Sequence, residues 1–251
     1  MREIVFALFI FICLSMASLS CLGLYEKLPI HHRGEDTHNV VRLAASVFVV
    51  MTSLVLGLLI NSVKDTFEAV DRDVHTFATE LVILDRTLRL YGAETNATRQ
   101  YLITYAQQAL DDTWSSKGGP VIDDRAAEHI MNEAETAFMA IKAVDMDHAE
   151  LWREAQLHLQ RIVELRWTLI GESSGRVSPA LVAILIAWLM LIFASFGYRA
   201  PRNPVVITTL VLSAFLISCS LYLVLDMDTP FSKPIQVSPA PLKRAVAYMR
   251  R

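Results

Sequence analysis

Four uncharged apolar runs decide most of what this chain can become. Ile4 to Tyr25, Leu43 to Ile60, Ala180 to Tyr198 and Val205 to Leu225 contain no Asp, Glu, Lys or Arg. Each is about 18 to 22 residues long, enough at about 1.5 Å per residue to cross a ~30 Å hydrocarbon core as a helix. The chain is 53% hydrophobic with mean hydropathy +0.38, and the excess sits in these runs. The expected fold class is an all-α membrane protein with four transmembrane helices.

The first run reads as a retained helix rather than a secretory signal. Arg2 is offset by Glu3, and the apolar stretch exceeds the usual ~7 to 15 residues of a signal. "SLSC" also lacks the leucine three places before Cys21 that lipoprotein processing prefers. Cys13, Cys21 and Cys219 all lie in or beside apolar spans, where they act as small hydrophobes, so neither disulfides nor a metal site is expected. A net charge of −3 gives nucleic acid no basic face to bind.

With four spans, both termini and the long segment between the second and third spans share one side. Arg2, Lys64, Arg72, Arg176, Lys233, Lys243, Arg244, Arg250 and Arg251 lie near the membrane there, against Lys27, Arg33, Arg42, Arg199 and Arg202 opposite. That excess predicts a multi-pass protein of the bacterial inner (plasma) membrane with termini and insert in the cytoplasm.

The insert continues the second span. Leu56, Ile60, Val63, Phe67, Val70, Val74, Phe77, Leu81, Leu84, Leu88 and Tyr91 alternate in steps of four and three, a heptad seam that predicts one helix of about 50 residues ending at Gly92. Three amphipathic segments follow, about Asn96 to Ser115, Arg125 to Val144 and His148 to Glu172, with no period-two pattern that would suggest sheet. Four regions result: residues 1–63, the first two spans and their loop; 64–178, a cytoplasmic helical bundle; 179–225, the third and fourth spans; and 226–251, an exit turn and tail.

Few residues suggest chemistry. His31, His32 and His38 with Glu35 and Asp36 place imidazoles and carboxylates in one loop, but adjacent histidines do not easily face one ion, and a solvated loop is the plainer reading. His129 and Glu133 are one helical turn apart, and His148 and His158 lie on another segment, yet no zinc, di-iron or phosphate-loop motif accompanies them. No enzyme activity, catalytic residue, cofactor or bound metal is expected.

The second span carries a mild polar stripe. Ser46, Ser53, Gly57 and Asn61 fall at steps of seven, four and four, and the stripe runs on through Lys64. Together with Val50 these are candidate pore-lining residues, because hydroxyls and an amide can replace part of an ion's hydration. The competing reading is close helix packing through small residues. Past the last span, Asp226 and Asp228 would point about 200° apart on a continuing helix and converge only if the chain leaves it. Pro230 predicts such a break. Asp226, Asp228, Pro230 and Phe231 are candidates for an exit turn or a gate.

The stretches "LDRTLRLYG" (Leu84 to Gly92), "RWTLIGESSGRVSPALVAILIAWLMLIFASFGYRAPRN" (Arg166 to Asn203) and "LDMDTPFSKPIQVSPAPL" (Leu225 to Leu242) resemble a family of bacterial membrane proteins called bestrophin-like, over about Leu43 to Leu242. After "PF" the family pattern is similar to F-S-G-L-I-x-V-S, whereas Lys233 and Pro234 stand here in place of Gly-Leu. By the further analogy to bestrophin channels, the resemblance implies a homo-oligomer, a pentamer by that analogy, with four spans per subunit, cytoplasmic termini and inorganic ions as its cargo. The aromatic neck and the long acidic calcium clasp of bestrophins do not carry over. Phe48 is the lone aromatic of the second span, and Asp226 and Asp228 replace the acidic run. The leading expectation is an oligomeric bestrophin-like ion channel with its pore lined by the second span. The alternative is a non-conducting membrane scaffold or sensor whose cytoplasmic bundle binds a partner.

Overall fold

The structure, a computed structural model, describes residues 2–25, 35–114, 125–141, 145–173, 175, 177–198, 200–231 and 234–251. Among the described residues there is no strand. The helices are α1 (Arg2–Leu24), α2 (Glu35–Tyr91), α3 (Asn96–Thr113), α4 (Arg125–Met139), α5 (Met146–Glu172), α6 (Pro179–Gly197), α7 (Pro204–Met227) and α8 (Ala240–Met249), with a 3-10 turn at Ala93–Thr95. Four of them, α1, α2, α6 and α7, are long and apolar enough to cross a membrane.

The chain forms two compact units, each of two segments. The first comprises Met1–Asp65 and Arg176–Asp228, the second Thr66–Gly175 and Thr229–Arg251. From Thr229 onward the chain belongs to the second unit.

In the first unit α1 packs on α6 and α7. Ile10, Leu14, Ser18 and Leu22, at every fourth position of α1, are buried, and α2 adds Leu59 and Val63 to the same cluster. Helices in lipid gain nothing from hiding apolar surface from water, so close approach depends on small residues at the contact. Gly197 provides it: a Cβ there would collide with the carbonyl oxygen of Ser18. The buried serines return their hydroxyls to their own helices, Ser18 Oγ to Ser15 O at 3.1 Å and Ser218 Oγ to Ala214 O at 2.8 Å.

In the second unit the heptad seam of α2 becomes core. Val70, Val74, Phe77, Leu81, Leu84, Leu88 and Tyr91 are all buried, most of them against Leu102 and Tyr105 of α3, Phe138 of α4 and Leu159 and Ile162 of α5. Each fully buried large side chain contributes about 1.5–3 kcal/mol. The seam therefore packs within its own chain, not as a coiled coil with another. At its membrane end the register slips: Ile60 is 44% exposed and Leu59 is buried instead. A straight α-helix drifts from a strict 3.5-residue repeat, which moves the buried face off the seam over successive turns.

Local chemistry sets the ends. Gly92 adopts φ 124°, in the left-handed region open to glycine, and the Thr95 hydroxyl donates to Leu88 O at 2.6 Å, closing the last turn of α2. Asp145 caps α5 by accepting from the His148 N–H at 2.8 Å, and Asn203 caps α7 by accepting from the Val206 N–H at 2.8 Å. Helix α8, which sequence reading took for tail, buries Leu242, Ala245, Val246 and Met249, an i, i+3, i+4, i+7 stripe.

Candidate functional site

Of the four spans, α2 is the least covered by its own chain. In its most apolar stretch 11% of residues are buried, against 33% in α6. Ser46, Val50, Ser53, Gly57, Asn61 and Lys64 are all exposed. A Cβ at Gly57 would meet nothing within 4 Å. Ser46 Oγ donates to Arg42 O at 2.9 Å, and Asn61 Nδ2 donates to Asp65 Oδ2 at 3.0 Å. The expected stripe is thus an open face whose polar groups include some satisfied along the helix itself. Val47, Leu54 and Leu58 are exposed beside it.

The two terminal aspartates do not converge. Helix α7 persists through Met227, so Asp226 lies in its last turn, fully buried, while Asp228 sits one residue past the end and is half-buried. Both Asp228 carboxylate oxygens accept from the Val177 N–H at 3.3 Å, tying the end of α7 to the chain entering α6. The helix does break near Pro230, but too late to turn the two side chains toward one ion.

Beyond the break, Pro230 and Phe231 are buried in the second unit. Phe231 packs with Val70, Val74 and Val237, and stacks edge-on against Trp114 with ring centroids 5.5 Å apart. The turn closes on itself through the Val237 N–H to Pro230 O at 2.8 Å, and Trp114 Nε1 donates to Val237 O at 2.7 Å. Pro230 and Val237 close this turn, and Phe231 is its anchor.

Two arrangements escaped sequence reading. Asp85, with no exposure at all, lies between two arginines, with Arg99 Nε donating to Oδ1 at 2.8 Å and Arg89 Nε 2.8 Å from Oδ2. The second contact is ionic rather than an aligned hydrogen bond. Arg89 reaches on to Tyr248 O at 3.3 Å and Met249 O at 3.0 Å, the open carbonyls at the end of α8. Arg202 plays the same part for α1, donating to Gly23 O at 2.9 Å, while Tyr198 meets Tyr25 edge-on at 5.1 Å. The Asp85–Arg89 pair has the i, i+4 spacing of a helix, but Arg99 and Arg202 reach their partners from other segments, which spacing does not reveal.

The histidines pair locally or across the bundle. His148 Nδ1 lies 2.6 Å from Asp145 and His158 Nδ1 lies 2.6 Å from Glu80 of α2, while His129 and Glu133 stand 3.8 Å apart at the surface. The side chains of His31, His32, Asp36 and His38 lie outside the described residues. Among the described residues no group of three His, Cys, Asp or Glu is placed to hold a metal ion.

A family model described as the bestrophin-like domain matches residues 12–242, nearly the whole chain. No curated protein and no solved structure matches.

Proposed function

The chain belongs to the bestrophin-like family and is a membrane protein, and from that premise we propose that it is a homo-oligomeric ion channel of the bacterial inner membrane. The observation that supports this reading is the open face of α2. Four small or polar residues, Ser46, Ser53, Gly57 and Asn61, stand exposed on the span its own chain covers least. Polar groups in a span cost least where they face water or protein instead of lipid. A ring of copies that brings these faces together makes a wet path lined by hydroxyls and an amide.

Reconstituted protein is expected to pass ions in a liposome flux assay and to run as a ring-sized oligomer by native mass measurement. Ser53→Leu and Asn61→Leu should lower flux without dissociating it. A protein that is monomeric in mild detergent and native lipid, and silent under varied salt, voltage and pH, overturns the proposal.

The scaffold reading draws on the same stripe, because the open space at Gly57 also suits direct helix contact between copies. An oligomer that leaves flux at background while Gly57→Leu dissociates it would favour that reading.

A further inference from the structure

In the second unit one pocket has mostly apolar walls with a single cationic side chain among its lining residues. Its walls include Phe77 of α2, Ala109 and Trp114 at the end of α3, Leu169 of α5, and Phe231. Two charged side chains reach it, Arg166 from α5 and Asp112 from α3. They differ in what already holds them. Asp112 accepts from Gln108 Nε2 at 2.8 Å. The Arg166 guanidinium carbon lies 5.5 Å from the centroid of the Tyr105 ring.

A guanidinium held against a ring face keeps its in-plane N–H donors, and that planar fork matches a carboxylate in two-point geometry. An apolar wall beside one such fork selects for molecules with a single anionic end and a hydrophobic remainder. We propose that this pocket binds a small monocarboxylate with an aromatic or aliphatic body. The body lies among Phe77, Trp114 and Phe231, and the carboxylate sits on Arg166. A second carboxylate would lose water against an apolar wall or face Asp112. The site is independent of whether the protein conducts.

Full-length protein in lipid nanodiscs, titrated calorimetrically at pH 7 with 4-phenylbutyrate, 4-phenylbutanol and 4-phenylbutylamine against empty nanodiscs, tests this. The carboxylate should bind about 10- to 100-fold tighter than the alcohol, the ratio a charge-assisted hydrogen bond supplies, and tighter than the amine. Arg166→Gln should reduce the carboxylate to the level of the alcohol. Ala109→Leu, which fills the pocket and keeps the charge, should weaken all three. Equal binding of the three compounds, preference for the amine, or carboxylate binding that survives Ala109→Leu each overturns the proposal. If Arg166→Gln fails to fold, the head-group ranking in the parent and the Ala109→Leu result still decide it.

Discussion

Replacing Asp85 with asparagine tests the clasp at the far end of α2. The side chain is wholly buried, and each oxygen has an arginine nitrogen at 2.8 Å. Removing one member of a buried ion pair typically costs about 3–5 kcal/mol, because the remaining charge stays desolvated. Here the stranded charges have partial escape: the Arg99 side chain is 17% exposed and that of Arg89 33%. The asparagine amide also keeps one acceptor oxygen. We therefore expect the low end, about 3 kcal/mol, which lowers the melting point by roughly 6–12 °C for a unit of this size. The loss should be local in a specific way. Arg89 also holds the carbonyls of Tyr248 and Met249, so amides of α8 and the start of α3 should lose hydrogen-exchange protection before those of α5. A double-mutant cycle of Asp85→Asn with Arg99→Gln should show a coupling of at least about 1 kcal/mol. A melt within about 1–2 °C of the parent, or unchanged α8 protection, would refute the reasoning.

Three further outcomes follow from the geometry. Gly197→Leu should prevent α1 from seating on α6, since even a Cβ meets the Ser18 carbonyl; the detergent-solubilised variant should melt lower or fail to accumulate, and an unchanged melt would remove the close-approach argument. Phe231→Ala, at a side chain 2% exposed and stacked on Trp114, should cost about 3–5 kcal/mol and be read as a lowered melt of the helical unit, whereas Asp228→Asn, which keeps an acceptor for the Val177 N–H, should cost far less. At the start of α5 the backbone N–H of His148 and then its ring hold the Asp145 carboxyl below its usual range, and the Asp145 carboxylate holds the His148 imidazole above its own. A raised histidine stabilises fully below its ordinary value of about 6.5 and loses that contribution as pH rises through the folded value; a lowered aspartate stabilises above about 3.8 and loses its contribution as pH falls through the folded value. The first turn of α5 should therefore be best protected between about pH 4 and 6.5 and fray as pH rises through the raised His148 value, in exchange rates corrected for base catalysis, an effect His148→Gln should abolish.

Period and punctuation were readable from the chain alone. The 4-3 seam marks the second-unit part of α2 down to its last turn, and Gly92 and Asn96 mark the break after it, because one face of that helix meets a core made of its own sequence neighbours. The seam fails at Ile60, inside the apolar span, where lipid accepts leucine and isoleucine on every side and burial no longer filters position. Helix α8 was missed because ten residues opening with Ala-Pro look like tail until Leu242 and Val246 find Phe77 and its neighbours in one core. Asp85 was missed for a related reason. In sequence it is one charge in the polar pattern of "LDRTLRLYG", and only Arg99, 14 positions away on α3, turns it into a buried clasp.

The family-like stretches sort by what their residues touch. In "LDRTLRLYG", Leu84 and Leu88 fill the core, Asp85 and Arg89 make the clasp, and Gly92 turns the chain. In the stretch ending "FGYRAPRN", Gly197 admits α1, Arg202 caps it and Asn203 starts α7. In "LDMDTPFSKPIQVSPAPL", Asp228, Phe231 and Val237 hold the exit turn. Each is used in building the fold of the chain, and none lies on the open face of α2. What the family resemblance carries is thus architecture, while any path for ions would be written in Ser46, Ser53, Gly57 and Asn61, residues with little packing role within the chain. Substitutions on that face should change flux or assembly with the melt of the fold intact, and substitutions in the three stretches should do the reverse.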